Sequence, residues 1–260
     1  MDEKGNKYLI IHTGSRNLGK QVAGHYQKTA VGLHTGKEKM WEEEEQIKAQ
    51  YKAAGRRGEI QKALKELHRQ FHQTAPDMPM EYCFLREKYS EAYLHDMELC
   101  QEFADANRIM IARLIVGQYG LSPVSEFTTV HNYIDHEGNL IRKGAVSAKK
   151  GEKLLIHINM RDGSLLCIGK GNADWNESAP HGAGRRYSRS EAKRKFCVEE
   201  YAGTMEAAGI YSTSVNYSTL DECPMAYKGM EEIVDTISET AEVINYLKPV
   251  YNFKANSTAL

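Results

Sequence analysis

Apolar positions change their spacing several times along this chain, and the changes divide it into helical and β-rich stretches. The opening run Asp2-Glu3-Lys4-Gly5-Asn6-Lys7 is polar and predicts a hairpin turn, and the apolar run Tyr8-Leu9-Ile10-Ile11-His12 after it predicts a buried strand. Over residues 35–75 the chain is rich in Lys, Glu, Gln and Ala, and its sparse apolar residues recur at helical spacing. That pattern predicts a helical insertion on the surface, spanning 35–80. Residues 87–118 predict a longer, more apolar helix whose buried stripe is Tyr93, Met97, Phe103, Ile109, Ile111 and Leu114.

Past residue 126 the apolar runs shorten and are punctuated by Gly, Asn and Asp, which predicts strands at 127–133, 153–158 and 164–168. A small-residue loop follows, Ala179-Pro180-His181-Gly182-Ala183-Gly184-Arg185, then a helix over 188–200 with Ser188 as its cap, offering backbone N–H groups near the loop. Residues 224–247 predict an amphipathic helix. The sum is an α+β chain, a mixed β-sheet core with surrounding helices, in which 1–260 form one domain carrying the 35–80 insertion.

With 34 basic and 35 acidic residues there is no net basic field, so any nucleic-acid contact must be local. No apolar run approaches the roughly 20 residues of a membrane helix and no secretory pattern opens the chain, so the expected setting is cytoplasmic with no membrane partner. Cys83, Cys100, Cys167, Cys197 and Cys223 are odd in number and never spaced C-x-x-C, which predicts reduced thiols acting as small buried hydrophobes.

Three segments carry chemistry. Gly14-Ser15-Arg16-Asn17-Leu18-Gly19-Lys20 has P-loop spacing, but Gln21 stands where a magnesium-holding Ser or Thr belongs. His12 and His131 each sit at the end of an expected strand, where neutral imidazoles from distant segments can converge on a transition metal. His25, His34, His68, His72 and His95 fall on helical stretches and are assigned to surface or core. His181 lies among residues too small to hinder approach to its ring, with Arg185, Arg186 and Arg189 close in sequence. That favours phosphorus chemistry over acyl transfer, for which no G-x-S-x-G elbow exists. Zinc protease chemistry lacks its H-E-x-x-H, since His136-Glu137-Gly138 has no second histidine.

The strings His12-Thr13-Gly14-Ser15-Arg16-Asn17-Leu18-Gly19, His131-Asn132-Tyr133 with Arg142-Lys143-Gly144-Ala145, and His181-Gly182-Ala183-Gly184-Arg185 with Ser188-Arg189 resemble those of the RtcB RNA ligases in identity, order and spacing. The resemblance runs from the first strand to Lys254. It implies a GTP-dependent, manganese-using ligase that joins RNA 3′-phosphate or 2′,3′-cyclic phosphate ends to 5′-hydroxyl ends through a histidine-bound guanylate. Residue by residue, it makes His181 the guanylylated histidine and His12 and His131 two manganese ligands. His131, Asn132, His157, Ile158, Asn159, Met160, Ser164, His181, Gly182, Ala183, Gly184 and Lys254 become the GTP-binding set. Arg16, Arg185 and Arg189 are the candidate phosphate or RNA contacts. His157-Ile158-Asn159-Met160 stands where the family has Pro-Gly-Ser-Met, a divergence that leaves only Met160 identical.

The family also places an Asp, a Cys and a further His of the metal site upstream of the His-Thr-Gly-Ser-Arg string. The expectation is therefore a ligase lacking its N-terminal part, with little or no self-guanylylation by itself unless that segment is supplied in trans. The competing readings are a non-catalytic GTP- or RNA-binding module and a P-loop NTPase using residues 14–20.

Overall fold

The first half of the chain is rich in helix-favouring Lys, Glu, Gln and Ala, and it is helical. The computed structural model describes residues 1–72, 74–76 and 78–255. They form two compact units, one of Ile11–Ile115 and one of Met1–Ile10 with Val116–Leu260. The first unit is helical: α1 (Arg16–Leu33), α2 (Lys37–Ala53), α3 (Ile60–Gln70) and most of α4 (Glu87–Gln118). Gly32 lets α1 meet the Trp41 ring of α2, since a Cβ there would lie 2.6 Å from the ring. The Tyr26 hydroxyl of α1 donates to Asp96 Oδ2 of α4 at 2.7 Å. Neither α2 nor α3, which lie in the 35–80 stretch, carries a buried residue.

The stripe expected on α4 is corrected. Its buried residues are Cys100 and Ala104, with Tyr93, Met97 and Ile111 half-buried, while Phe103, Ile109 and Leu114 are exposed. Small side chains let a helix approach its neighbours closely, so the closest-packed face is marked by Cys and Ala rather than by the largest apolar residues. The 8–12 strand is also corrected. Residues 2–6 do form a turn, closed on buried Asp2, which accepts from Lys4 N and Asn6 N. Tyr8, Leu9 and Ile10 are nonetheless exposed and pair with no described strand, and an apolar run with no ladder to join forms no strand.

The second unit holds the sheets. β1 (His131–Asp135), β2 (Leu140–Ser147) and β5 (Ser178–Pro180) form one antiparallel sheet; β3 (Lys153–Asn159), β4 (Gly163–Gly169) and β7 (Ala241–Leu247) form another. β6 (Tyr211–Ser212) and β8 (Tyr251–Asn252) pair in parallel. On β3 the alternation buries Leu154, Ile156 and Ile158 against Val146, Leu165, Cys167, Ile233 and Ile237, which turns His157 to the other face. A second core gathers Ala192, Tyr201, Met205, Leu220 and Cys223. The architecture is α+β.

Three further expectations shift. The 127–133 strand begins only at His131. The 188–200 helix divides into α5 (Arg189–Lys195) and α6 (Val198–Ala207), because Phe196 and Cys197 are extended. Ser188 caps α5 through a capping box with Glu191, so the amides of both residues are spent on the cap. The 224–247 helix is a 3-10 turn at Pro224–Ala226, α7 (Met230–Ile237), and then strand β7, whose exposure alternates at period two. Among the cysteines, Cys100, Cys167 and Cys223 are buried, Cys83 is half-buried, and exposed Cys197 caps α6 instead of filling core. Burial pushes the Cys167 thiol up to about 12, which keeps it protonated and unreactive. No helix of the described residues is long and apolar enough to cross a membrane.

Candidate active site

Gly144 on β2 is the hub around which the first histidines are arranged. A bulge in β1 between His131 and Tyr133 puts Asn132 in the left-handed region, at φ 57°, and its Oδ1 accepts from Gly144 N at 2.6 Å. The Gly144 carbonyl, in turn, lies 2.8 Å from His181 Nδ1 and 3.2 Å from His181 N. A carbonyl can only accept, so in the neutral ring Nδ1 holds the proton and Nε2 the lone pair. The His131 and His181 rings stack with centroids 4.4 Å apart and planes at 28°. Gly144 itself has φ 68°, a backbone state that favours glycine.

The loop after β5 is held from both sides. His157 N donates to His181 O at 3.1 Å and Ala183 N to His157 O at 2.9 Å, a parallel bridge to the end of β3. A Cβ at Gly182 would lie 2.6 Å from the His157 carbonyl, so the close approach requires glycine. On the other side Lys228 N donates to Gly184 O and Arg186 N to Ala226 O. The amides of His181 and Ala183 are thus spent on carbonyls and are not phosphate donors.

His157 Nδ1 lies 3.0 Å from the hydroxyl of buried Ser164. Ile158 points into the core. Asn159 builds the β3–β4 turn, its Oδ1 accepting from the amides of Arg161 and Asp162. The carbonyl of Met160 accepts from Asn252 Nδ2 at 2.7 Å, tying this turn to β8.

A buried carboxylate organises the cations. Glu222 Oε1 accepts from Arg185 Nη2 at 2.7 Å, and its Oε2 lies 3.0 Å from Lys254 Nζ and accepts from the Tyr227 hydroxyl. Burial alone pushes the Glu222 carboxyl up, but Tyr227, Lys254 and Arg185 together outweigh it and hold the group below the usual carboxylate range. Arg185 also donates to the Asp221 carbonyl and lies over the Tyr227 ring, so this arginine anchors the loop. Arg189 and Lys193 pair with Asp221.

His181, His131, Asn132, His157, Ser164, Met160, Arg185 and Lys254 all belong to the second unit, in three groups: the histidines with Asn132 and Ser164 around Gly144, Met160 on Asn252, and Arg185 with Lys254 on Glu222. Sequence reasoning nominated none of Gly144, Asn252 and Glu222, nor Asp221 or Tyr227; only Gly144, inside a quoted string, left a local signal. His12 and Arg16 belong to the helical unit, where both are exposed and Arg16 opens α1. The P-loop alternative is corrected there: α1 begins at Arg16, so residues 17–20 are helical and present no open phosphate loop, and no strand precedes them. Among the described residues no group of three or more His, Cys, Asp or Glu side chains is placed to hold a metal ion. The chain's described donors do not by themselves make a complete manganese site.

Comparison with known proteins places this geometry in a family. The family model described as "tRNA-splicing ligase RtcB" matches residues 2–255. The RNA-splicing ligase RtcB of Escherichia coli (strain K12) is 26% identical over 96% of this chain and 56% of its own length. The tRNA-splicing ligase RtcB of Nanoarchaeum equitans is 26% identical over 95% of this chain and 52% of its own length; that of Methanopyrus kandleri is 25% identical over 95% and 26%. The chain spans about half the length, or less, of these curated relatives. With the match extending over nearly every residue, and with the histidine loop held as described, the chain belongs to the RtcB family.

Proposed function

We propose that this chain carries the nucleotide-accepting centre of an RNA ligase that joins RNA 3′-phosphate or 2′,3′-cyclic phosphate ends to 5′-hydroxyl ends, with GTP as cosubstrate and His181 as nucleophile. The observation that carries the reading is the hydrogen bond between His181 Nδ1 and the Gly144 carbonyl, which leaves the lone pair on Nε2. In the first step Nε2 forms a bond to the α-phosphorus of GTP, the bond from that phosphorus to the bridging oxygen breaks, and pyrophosphate leaves. No proton need be removed from the attacking atom. Where the end is a 2′,3′-cyclic phosphate, water first attacks its phosphorus and breaks the bond to the 2′-oxygen; the guanylate then passes to the RNA 3′-phosphate, regenerating the imidazole, and the 5′-hydroxyl displaces GMP to close the strand.

The other residues bind and orient. His131 covers one face of the His181 ring and, with the Gly144 bond, restricts its rotation. Lys254 contacts the guanine nucleotide. Arg189, exposed beside the loop, meets phosphate. His12 and His131 would be the donors to manganese, which would supply positive charge near the phosphates; since the described donors do not complete its site, no step is routed through it.

A binding-only reading, in which GTP is held without transfer, is favoured by that incomplete donor set. Incubation with α-labelled GTP and Mn²⁺ separates the two. Acid-labile label on the protein that is absent from His181→Ala supports the ligase reading; reversible GTP binding with no adduct supports the second. Guanosine 5′-phosphorimidazolide, whose leaving group needs little metal assistance, gives the expected adduct on His181 even where GTP reacts poorly. Modification spread over the other histidines would contradict the assignment of His181.

A further inference from the structure

An aromatic surface beside the proposed nucleotide site is used by none of the steps above. β6 and β8 pair in parallel with Tyr211 opposite Tyr251. Their rings stack with centroids 5.8 Å apart and planes at 24°, and both are more than half exposed. Phe253 follows β8 directly and is 71% exposed. The intervening Asn252 donates to the Met160 carbonyl. Tyr217, six residues after Tyr211, is also exposed, with Lys193 Nζ 5.8 Å from its ring centroid.

Cations border these rings. Ser214 ties the segment after β6 to Lys254, its Oγ accepting from Lys254 N at 2.8 Å. Arg185, Arg189, Lys193 and Lys254 share two carboxylates, those of Asp221 and Glu222. Both carboxylates are buried, with side chains 8% and 11% exposed, whereas Arg189 is 72% and Lys254 46% exposed. The charge turned to solvent is therefore positive, although the whole chain is near neutral.

We infer that this face holds a single-stranded RNA segment, with bases stacked on Tyr211, Tyr251 and Phe253 and backbone phosphates against Arg189 and Lys193. Flat exposed rings with cations nearby suit unpaired bases, each of which has a π-face, better than they suit an apolar protein helix, which would need a groove. The inference rests on the ligase reading in one respect: it supplies the strand whose end reaches His181.

The test is fluorescence anisotropy of the 260-residue chain with a labelled oligoadenylate of about 12 nucleotides, over a range of salt. The double variants Tyr211→Ala/Tyr251→Ala and Tyr211→Leu/Tyr251→Leu are expected to bind at least about tenfold more weakly, and Tyr211→Phe/Tyr251→Phe to bind like the parent. Arg189→Ala flattens the salt dependence, while the tyrosine variants keep it. Leucine keeps apolar area without a ring, so the result survives if the alanine pair fails to fold, which circular dichroism would show. No binding by the parent, leucine variants that bind like phenylalanine ones, or a face that only joins two copies of the chain in sedimentation would each overturn the inference. Ring-dependent RNA binding in a chain that never takes guanylate on His181 would sustain it while sinking the ligase reading.

Discussion

Two glycine-rich segments of this chain look alike as strings of letters and behave differently once their backbone groups are followed. Gly14 to Lys20 has P-loop spacing, yet α1 begins at Arg16 and absorbs most of it. Gly182 to Gly184 has no motif spacing, yet its backbone is fastened to His157 on one side and to residues 226 and 228 on the other. Glycine is replaceable in the first segment at Gly14, where a Cβ would meet nothing within 4 Å, and required in the second at Gly182, where it would strike a carbonyl. A small-residue loop becomes a site when surrounding structure fixes its backbone and leaves a reactive side chain at a defined angle.

The sharpest way to break that comparison is at Glu222. Replacing it with Ala strands Arg185 and Lys254 beside an emptied pocket and is expected to cost about 3 kcal/mol, measured by denaturant unfolding. The pH dependence follows from the depressed folded-state value. The stabilisation is fully present above the ordinary glutamate range and is lost as pH falls through the folded-state value, so the gap between parent and Glu222→Gln should close in acid. A gap that widened in acid would reverse the assignment.

Gly182→Ala comes next. Its Cβ would have to displace the His157 carbonyl, with an expected loss of about 2 kcal/mol and of the His181 adduct. A smaller effect is expected at Asn132, which holds φ 57° and accepts from Gly144 N. Asn132→Ala should cost about 1 kcal/mol more than Asn132→Gly, because glycine keeps the backbone state. Gly14→Ala should change stability by less than about 0.5 kcal/mol. A large loss there with none at Gly182 would invert the comparison.

What the sequence reveals follows from how local each signal is. The helical character of residues 35–75 and 87–118 is legible because periodicity and composition are contained within each stretch, whereas α1 is not predicted as an element. Residues 241–247 are not, since Ala241, Val243, Asn245 and Leu247 sit inward by pairing with β4, a partner some 80 positions upstream. The His181 loop is legible because its small residues are contiguous. Glu222 is not, because its cations lie at 185, 189 and 254 and only the fold gathers them. Tyr8 to His12 has the apolar content of a strand, but content does not supply a neighbour.

The central claim is the protonation pattern of one ring, and long-range ¹H–¹⁵N correlation of the imidazoles at neutral pH reads it directly. The account predicts that neutral His181 carries its proton on Nδ1, shared with Gly144, and presents a bare Nε2. A neutral His181 with its proton on Nε2 would contradict the nucleophile assignment at its root.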